Sequence, residues 1–322
     1  MLMAGLPCVQ LERNMELEVS LSGELPDERI YQEVSAVGLL RGEYIFRRAG
    51  KYLTADEGPH LLREYIKETL RIFPDKDVWY RFVDAPANEI NMLEGYDEYV
   101  LEEFPTIGLR GMRRAMELPH SFEIEFNVVS ELAKEHKNLH IMFPYICEMD
   151  EIDFGLEYAR KYSFPNKISC MMETPAALWH AREIEKRGIE HFLIGMNDLS
   201  SLVVGASRGS GYDRHNHPAI LGMLKTLRSD LKNSRLSIAG YMKPAFYDLA
   251  KETGMDAISV HYSSFPAFFG EKFKDYRDMD FMLNFKKSDN RKRLRLWAQS
   301  LLDVANDNDS MTIQGLHWHR KG

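Results

Sequence analysis

The sequence predicts an α/β fold, a (β/α)8 TIM barrel with a C-terminal helical extension. Eight short apolar runs alternate with amphipathic segments between residues 15 and 262. Such an alternation predicts parallel strands, because parallel neighbours need a crossover that is usually a helix. The fifth and sixth runs each end on a carboxylate, and the 322 residues are enough for one such barrel.

The predicted strands share apolar or alternating residues over short lengths. They cover residues 15–21, 36–46, 77–84, 139–145, 168–172, 191–196, 236–241 and 256–262. The predicted helices cover residues 26–34, 55–73, 122–136, 148–162, 218–231 and 244–253, and a further helical pattern follows the fifth strand and ends at Gly188. Gly254 has the position of a C′ glycine behind the last of these helices. A long excursion, residues 85–117, follows the third strand.

We expect two parts, a barrel domain over residues 1–275 and an extension over residues 276–322. Within the extension, residues 286–306 have the pattern of an amphipathic helix, with Leu294, Trp297, Leu301 and Val304 on one face. Residues 310–322 have the composition of a mobile tail.

Composition and charge exclude several classes of function. A net charge of −8 makes a broad nucleic-acid surface unexpected. Every apolar run falls short of the ~18 residues that cross a bilayer, so we expect no membrane partner. The three scattered cysteines, Cys8, Cys147 and Cys170, fit neither a disulfide framework nor metal-knuckle spacing. The sequence therefore predicts a cytoplasmic protein, and the N-terminus lacks the pattern of a signal peptide.

Two carboxylates mark the candidate site. Glu173 follows the fifth strand and Asp198 follows the sixth, so neighbouring parallel strands would hold them side by side. Two hard oxygen ligands with room for water and substrate oxygens describe a Mg²⁺ site. The alternative is a pair of helix starts, since Thr174-Pro175 and Asp198 both precede helical patterns.

The segments MMETPAA and IGMNDLSSLVVGASRG around these carboxylates resemble the barrel of the phosphoenolpyruvate (PEP)-utilising enzymes. This family includes PEP synthase, pyruvate phosphate dikinase and enzyme I of the sugar phosphotransferase system. The resemblance implies that Glu173 and Asp198 hold Mg²⁺. It also implies that Asn197 and Arg208 contact the substrate phosphate and carboxylate.

Three further segments carry the resemblance. GLLRGEYIF contains Arg41, which the family uses to bind the substrate anion. On the predicted strand, Arg41 and Glu43 would point the same way, because side chains alternate with period two, and the alternative is a structural pair between them. WYRFVDAPANE and EEFPTIGLRGMRRAM are similar to PEP synthase in particular, and they supply Arg81 and Arg110. Arginine forks suit both the phosphate and the carboxylate of PEP.

The sequence departs from the family in three respects. Ala239 stands where the family has the Cys that protonates the enolpyruvate, and His140 replaces an Arg. We also find no phosphohistidine loop, so we do not expect the full synthase reaction from this polypeptide alone. Two polar residues, Tyr241 and His261, lie near the missing Cys and are further candidates for catalysis beside Arg41 and Arg110.

We therefore expect a Mg²⁺-dependent enzyme that acts on PEP, pyruvate or a related 2-oxo acid through an enolate. Phosphoryl or enolpyruvyl transfer, or carbon–carbon bond chemistry, would replace the proton transfer that the Cys supports. The alternative is a binding protein that retains the pocket without turnover. We also expect a homodimer, because barrels of this family pair and the extension adds an amphipathic helix.

Overall fold

The chain forms a closed barrel of eight parallel strands in sequence order, seen in a computed structural model of the protein. The structure describes residues 15–23, 27–96, 98–102, 104–207, 210, 212, 215–240 and 245–277. The strands are β1 (Glu16–Leu21), β2 (Ala36–Arg41), β3 (Val78–Arg81), β4 (Leu139–Phe143), β5 (Ile168–Met171), β6 (His191–Gly195), β7 (Arg235–Ala239) and β8 (Ala257–His261). Pairing of β1 with β8 closes the barrel, and the predicted fold class is confirmed.

Helices cover the outside of the strands and supply the crossovers. They are α1 (Gly42–Ala49), α2 (Gly58–Ile72), α3 (Ala87–Ile90), α4 (Gly111–Glu117), α5 (Pro119–Glu135), α6 (Met149–Lys161), α7 (Pro175–Trp179), α8 (Ala181–Lys186), α9 (Met196–Val204), α10 (Pro218–Asp230), α11 (Ala245–Glu252) and α12 (Phe265–Phe269). Short 3-10 helices occupy Glu28–Glu33, Tyr262–Ser264 and Gly270–Arg277. No described helix has both the length and the apolar character needed to cross a membrane.

The second strand is shorter than the sequence predicts. β2 ends at Arg41 and helix α1 begins at Gly42, so the prediction of a strand over residues 36–46 is wrong at its end. A Cβ at Gly42 would overlap the hydroxyl of Tyr80, and glycine allows the chain to turn away from the sheet here. The apolar residues Ile45 and Phe46 are typical of a strand, but they lie in helix α1, and the helix buries Phe46 in the core.

A small apolar cluster lies apart from the main core and takes one residue from each of β2 to β7. Its members are Leu39, Trp79, Met142, Met171, Leu193 and Ala239. Such a set is typical of an interior layer of a barrel. Trp79 lies two residues before Arg81, the last residue of β3, and Met171, the last residue of β5, lies two residues before Glu173. Because side chains alternate with period two, the cluster forms the floor beneath those charged residues.

The described chain ends in a 3-10 helix that is joined to the outside of the barrel. Arg29 donates from Nη2 to Asp275 Oδ2 at 2.7 Å, and its guanidinium lies 5.1 Å from the centre of the buried Tyr276 ring. Residues 278–322, which include the predicted helix 286–306, lie outside the described residues. The division into two domains therefore stays a prediction.

Candidate active site

Three buried carboxylates meet at the carboxyl end of the barrel. Asp84 follows β3, Glu173 follows β5 and Asp198 follows β6, and one oxygen from each lies within 4.8 Å of the other two. All three side chains are buried. Burying like charges this closely is unfavourable unless cations neutralise them, so the cluster calls for positive partners.

Arg110 is one such partner. Its Nε donates to Asp84 Oδ1 at 2.8 Å and its Nη2 to Asp84 Oδ2 at 2.6 Å, a bidentate fork. The same guanidinium reaches Asp198 at 3.3 and 3.4 Å and lies 4.2 Å from the centre of the Tyr145 ring. Arg110 directly precedes α4, whose first residue, Gly111, has φ +56° and comes so close to Tyr145 that a Cβ would lie 2.5 Å from it. Glycine is therefore needed where the backbone brings Arg110 to the site.

Arg41 and Arg81 lie beside each other at the ends of neighbouring strands, where they are register partners. Glu43 accepts from Arg81, and not from Arg41 as the alternative interpretation of a structural pair has it. The Nη1 of Arg81 lies 3.5 Å from Asp84 Oδ2. Arg41 instead donates to the hydroxyl of Tyr44 at 3.3 Å and lies over its ring at 4.8 Å. The Nε atoms of both arginines are buried and lack a hydrogen-bond partner among the described residues.

Glu173 is almost fully buried, like Asp84. Its Oε1 accepts the backbone N–H of Tyr145 at 2.9 Å, which joins the end of β5 to the end of β4. Burial raises the pKa of Glu173, and the nearby charges of Asp198 and Asp84 raise that pKa further. The next residue, Thr174, is the N-cap of α7 and accepts from the N–H of Ala177 at 3.0 Å, so the alternative interpretation of a helix start is confirmed here.

Asp198 is not a helix cap. The N-cap of α9 is Gly195, and Asp198 lies in the first turn with its carboxylate towards Arg110. The alternative interpretation of this residue as a cap is therefore wrong. Asn197 precedes it in the same turn, directly after β6, and is half-buried; its contact with the substrate stays a prediction.

The remaining predicted residues are more scattered. His261, the last residue of β8, caps the following 3-10 helix: its Nδ1 accepts from the N–H of Ser263 at 3.3 Å. Tyr241 and Arg208 lie outside the described residues. Ala239 ends β7 and belongs to the apolar floor. His140 lies near the amino end of β4, away from the carboxylates, with its ring 4.6 Å from that of Trp79.

Sequence reasoning missed two members of the site. It named Asp84 only as part of a motif, although its place after the third strand matches that of Glu173 after the fifth. It also missed Tyr145, whose ring and backbone contact Arg110 and Glu173. An aromatic residue behind an apolar strand has no distinctive pattern, so only the fold could identify it.

The site contains two neighbouring sets of ligands, one suited to a hard cation and one suited to an anion. Three carboxylates supply oxygen ligands of the kind that Mg²⁺ binds. Beside them, Arg41 and Arg81 present buried N–H donors that suit an anion.

Comparison with known proteins identifies the family to which most of the chain is similar. Residues 14–268 match the family described as PEP-utilising enzyme, PEP-binding domain. A probable phosphoenolpyruvate synthase of Methanocaldococcus jannaschii is 29% identical over 271 residues, which cover 76% of this chain and 22% of that protein. A probable phosphoenolpyruvate synthase of Archaeoglobus fulgidus is 30% identical over 271 residues, 76% of this chain and 36% of that protein. The chain therefore matches well under half the length of either relative.

Among solved structures, a pyruvate kinase from Pyrobaculum aerophilum covers 82% of this chain and 71% of its own. The TM-score is 0.49 and the sequence identity is 9%. At this level the likeness carries no functional argument.

Proposed function

The chain belongs to the PEP-utilising enzymes through their PEP-binding domain, and from this premise we propose a Mg²⁺-dependent enzyme that acts on PEP, pyruvate or a related 2-oxo acid through an enolate. The observation that carries the proposal is the meeting of three buried carboxylates with Arg110 at the carboxyl end of the barrel. In barrels of this type that end is where catalytic residues gather.

The residues present fit a Mg²⁺ ion. Hard carboxylate oxygens from three strand ends come within 4.8 Å of one another in a buried setting. We assign Glu173 and Asp198 as ligands, because Asp84 accepts the two short bonds from Arg110, at 2.8 and 2.6 Å, whereas Asp198 lies 3.3 and 3.4 Å from the same guanidinium. Asp84 would then hold Arg110 next to the ion. When bound, Mg²⁺ would supply positive charge beside an enolate oxygen as negative charge develops there.

The arginines would bind the substrate anion. Arg41 and Arg81 each have a buried Nε without a partner among the described residues, and a phosphate or carboxylate oxygen would satisfy both donors. Glu43 and Tyr44 restrict the two guanidinium groups, which keeps the donors oriented before the substrate arrives. Arg110, Arg208 and Asn197 stay candidates for further contacts to the phosphate and carboxylate.

The apolar floor of the site bears on which reaction the enolate undergoes. Ala239 contributes a methyl group to an apolar layer with Met171, Leu193 and others, where the family places a proton-donating Cys. A methyl group donates no proton, so an enolate here would persist until it meets another electrophile. We therefore favour phosphoryl or enolpyruvyl transfer, or carbon–carbon bond chemistry. Tyr241 and His261 stay candidates for proton transfer, and the homodimer stays a prediction.

A binding protein without turnover is the second candidate, and Ala239 is the observation that favours it. The charged residues of the site argue against this candidate, because buried charges that bind no ligand lower the stability of the fold. Arg41, Arg81, Arg110, Glu173 and Asp198 are all retained.

A calorimetric titration with PEP and pyruvate, with and without Mg²⁺, tests the proposal. We expect both ligands to bind and the binding to require Mg²⁺. Binding that is indifferent to Mg²⁺ would contradict the metal assignment, and no binding of either ligand would contradict the substrate class. Binding without any product from a panel of electrophilic co-substrates would favour the second candidate.

A further inference from the structure

A buried carboxyl group outside the site is attached to the segment that carries Asp84. Glu125 lies on α5, behind the barrel wall, and is 2% exposed. Its Oε1 accepts the backbone N–H of Val83 at 2.9 Å, and Val83 directly precedes Asp84. The same oxygen accepts the hydroxyl of Tyr80 on β3 at 2.5 Å. One oxygen therefore anchors both the strand and the residue that leads out of it.

The same contact reaches the end of the neighbouring strand. The Tyr80 hydroxyl and Glu125 Oε1 fill the space where a Cβ of Gly42 would lie. Gly42 stands between Arg41 and Glu43, so the end of β2, which carries Arg41, and the segment after β3, which carries Asp84, both pack against this one group. Interiors are closely packed, so a shift of this group would be transmitted to both segments.

We propose that Glu125 is a positioning residue, which fixes Val83 and thereby places Asp84 where it holds Arg110. The inference rests on the proposed function, because it assumes that Arg110 binds the substrate. Asp84 accepts Arg110 with both oxygens, so a displaced Asp84 backbone would misalign the fork. Bidentate pairs depend strongly on geometry, so a small displacement of Asp84 would shift the Arg110 guanidinium and weaken its contact with the substrate anion.

The role needs an acceptor at this position and does not need a negative charge. Burial raises the pKa of Glu125 to about 8, so the neutral acid predominates at pH 7. Glutamine keeps a carbonyl oxygen of the same reach, whereas leucine keeps the volume and loses the acceptor. Glu125→Gln is thus the conservative variant and Glu125→Leu the disruptive one.

The test compares the affinities of the full-length variants for PEP and pyruvate in the presence of Mg²⁺. We expect Glu125→Leu to weaken PEP binding at least tenfold and pyruvate binding less, because the effect passes through Arg110. Glu125→Gln should bind PEP with the affinity of the unmodified protein, because it keeps the acceptor. Leu132→Ala, a buried change on the same helix, should lower Tm without this selectivity. Equal PEP affinity in the leucine variant and the unmodified protein would overturn the proposal.

A second variant and a second readout keep the test decisive. If Glu125→Leu does not fold, Tyr80→Phe removes only one partner of the same oxygen and should weaken PEP binding about threefold; unchanged binding would overturn the proposal.

If the unmodified protein binds neither ligand, the proposed function fails, and hydrogen exchange at the Val83 amide decides the positioning role. Exchange should accelerate at least tenfold in Tyr80→Phe or Glu125→Leu and stay slow in Glu125→Gln. Unchanged exchange in the disruptive variants would overturn it.

Discussion

The guanidinium of Arg110 forms a bidentate pair with the carboxylate of Asp84, with N···O distances of 2.8 and 2.6 Å, and extends to Asp198 at 3.3 Å. Asp84 is thereby fully engaged, while Asp198 is held less tightly. This difference assigns distinct roles to two carboxylates that the metal cluster alone does not distinguish. Asp84 orients the arginine, and Asp198 faces both the arginine and the proposed ion.

Asp198→Ala tests the metal assignment. We expect the barrel to fold and the Mg²⁺-dependent binding of PEP to be lost, because one of two proposed ligands is removed. The measurement is a calorimetric titration with PEP at saturating Mg²⁺, with thermal unfolding as a check on folding. Asp153→Ala, which breaks an exposed pair with Arg187, is the matched control and should bind normally. Unchanged binding in Asp198→Ala would remove Asp198 from the metal site.

Arg110→Ala should weaken PEP binding more than pyruvate binding. A charge-assisted contact to phosphate is worth about 1.5–3 kcal/mol, which corresponds to roughly a tenfold to hundredfold loss of affinity. Arg113→Ala is the control, because Arg113 lies one turn along α4 and faces Glu151 at 3.6 Å. Equal losses for PEP and pyruvate would assign Arg110 to the carboxylate end of the substrate instead.

Ala239 predicts slow protonation of the enolate. With Mg²⁺ bound, the protein should incorporate little solvent deuterium into the methyl group of pyruvate. Ala239→Cys should increase this exchange, since a positioned proton donor contributes typically ~10²–10⁴-fold. Ala239→Ser, of similar size and much weaker acidity, is the control. Fast exchange in the unmodified protein would show that Tyr241, His261 or another group supplies the proton.

Glu125 predicts a pH dependence of stability. Burial raises its pKa to about 8, with Tyr80 and Val83 bonded to it, Glu43 raising the pKa and Arg81 lowering it. The folded protein keeps this proton up to about pH 8, whereas the unfolded chain releases it near its ordinary pKa of 4.5. The free energy of unfolding should therefore fall as pH rises from 5 to 8, relative to Glu125→Gln, by up to roughly 1.4 kcal/mol per pH unit. Urea unfolding at several pH values measures this, and parallel profiles for the two proteins would refute it.

Much of the fold follows from local patterns in the sequence. Each of the eight strands was predicted at its observed place, because apolar runs between amphipathic segments have few other solutions. The error at residues 42–46 has a tertiary cause, since the space at Gly42 is taken by Tyr80 from the next strand. No pattern within β2 reports that contact.

The site was predictable as a set of residues and not as a set of contacts. Motif resemblance identified Glu173, Asp198 and Arg110, and the barrel brings all three together. The resemblance could not indicate that Arg110 would form two hydrogen bonds with Asp84, because that pairing depends on how the long segment after β3 returns to the barrel. The support from Glu125 was equally hidden, since a glutamate within a helix has the pattern of an exposed residue.

The most direct test of the account is the anomalous diffraction of crystals grown with Mn²⁺ and PEP, since Mn²⁺ substitutes for Mg²⁺ and is visible at its absorption edge. The account predicts a single strong peak at roughly 2–2.5 Å from carboxylate oxygens of both Glu173 and Asp198. It also predicts the PEP phosphate or carboxylate within hydrogen-bond distance of Arg41 and Arg81. A peak elsewhere, or PEP bound away from these carboxylates, would contradict the account.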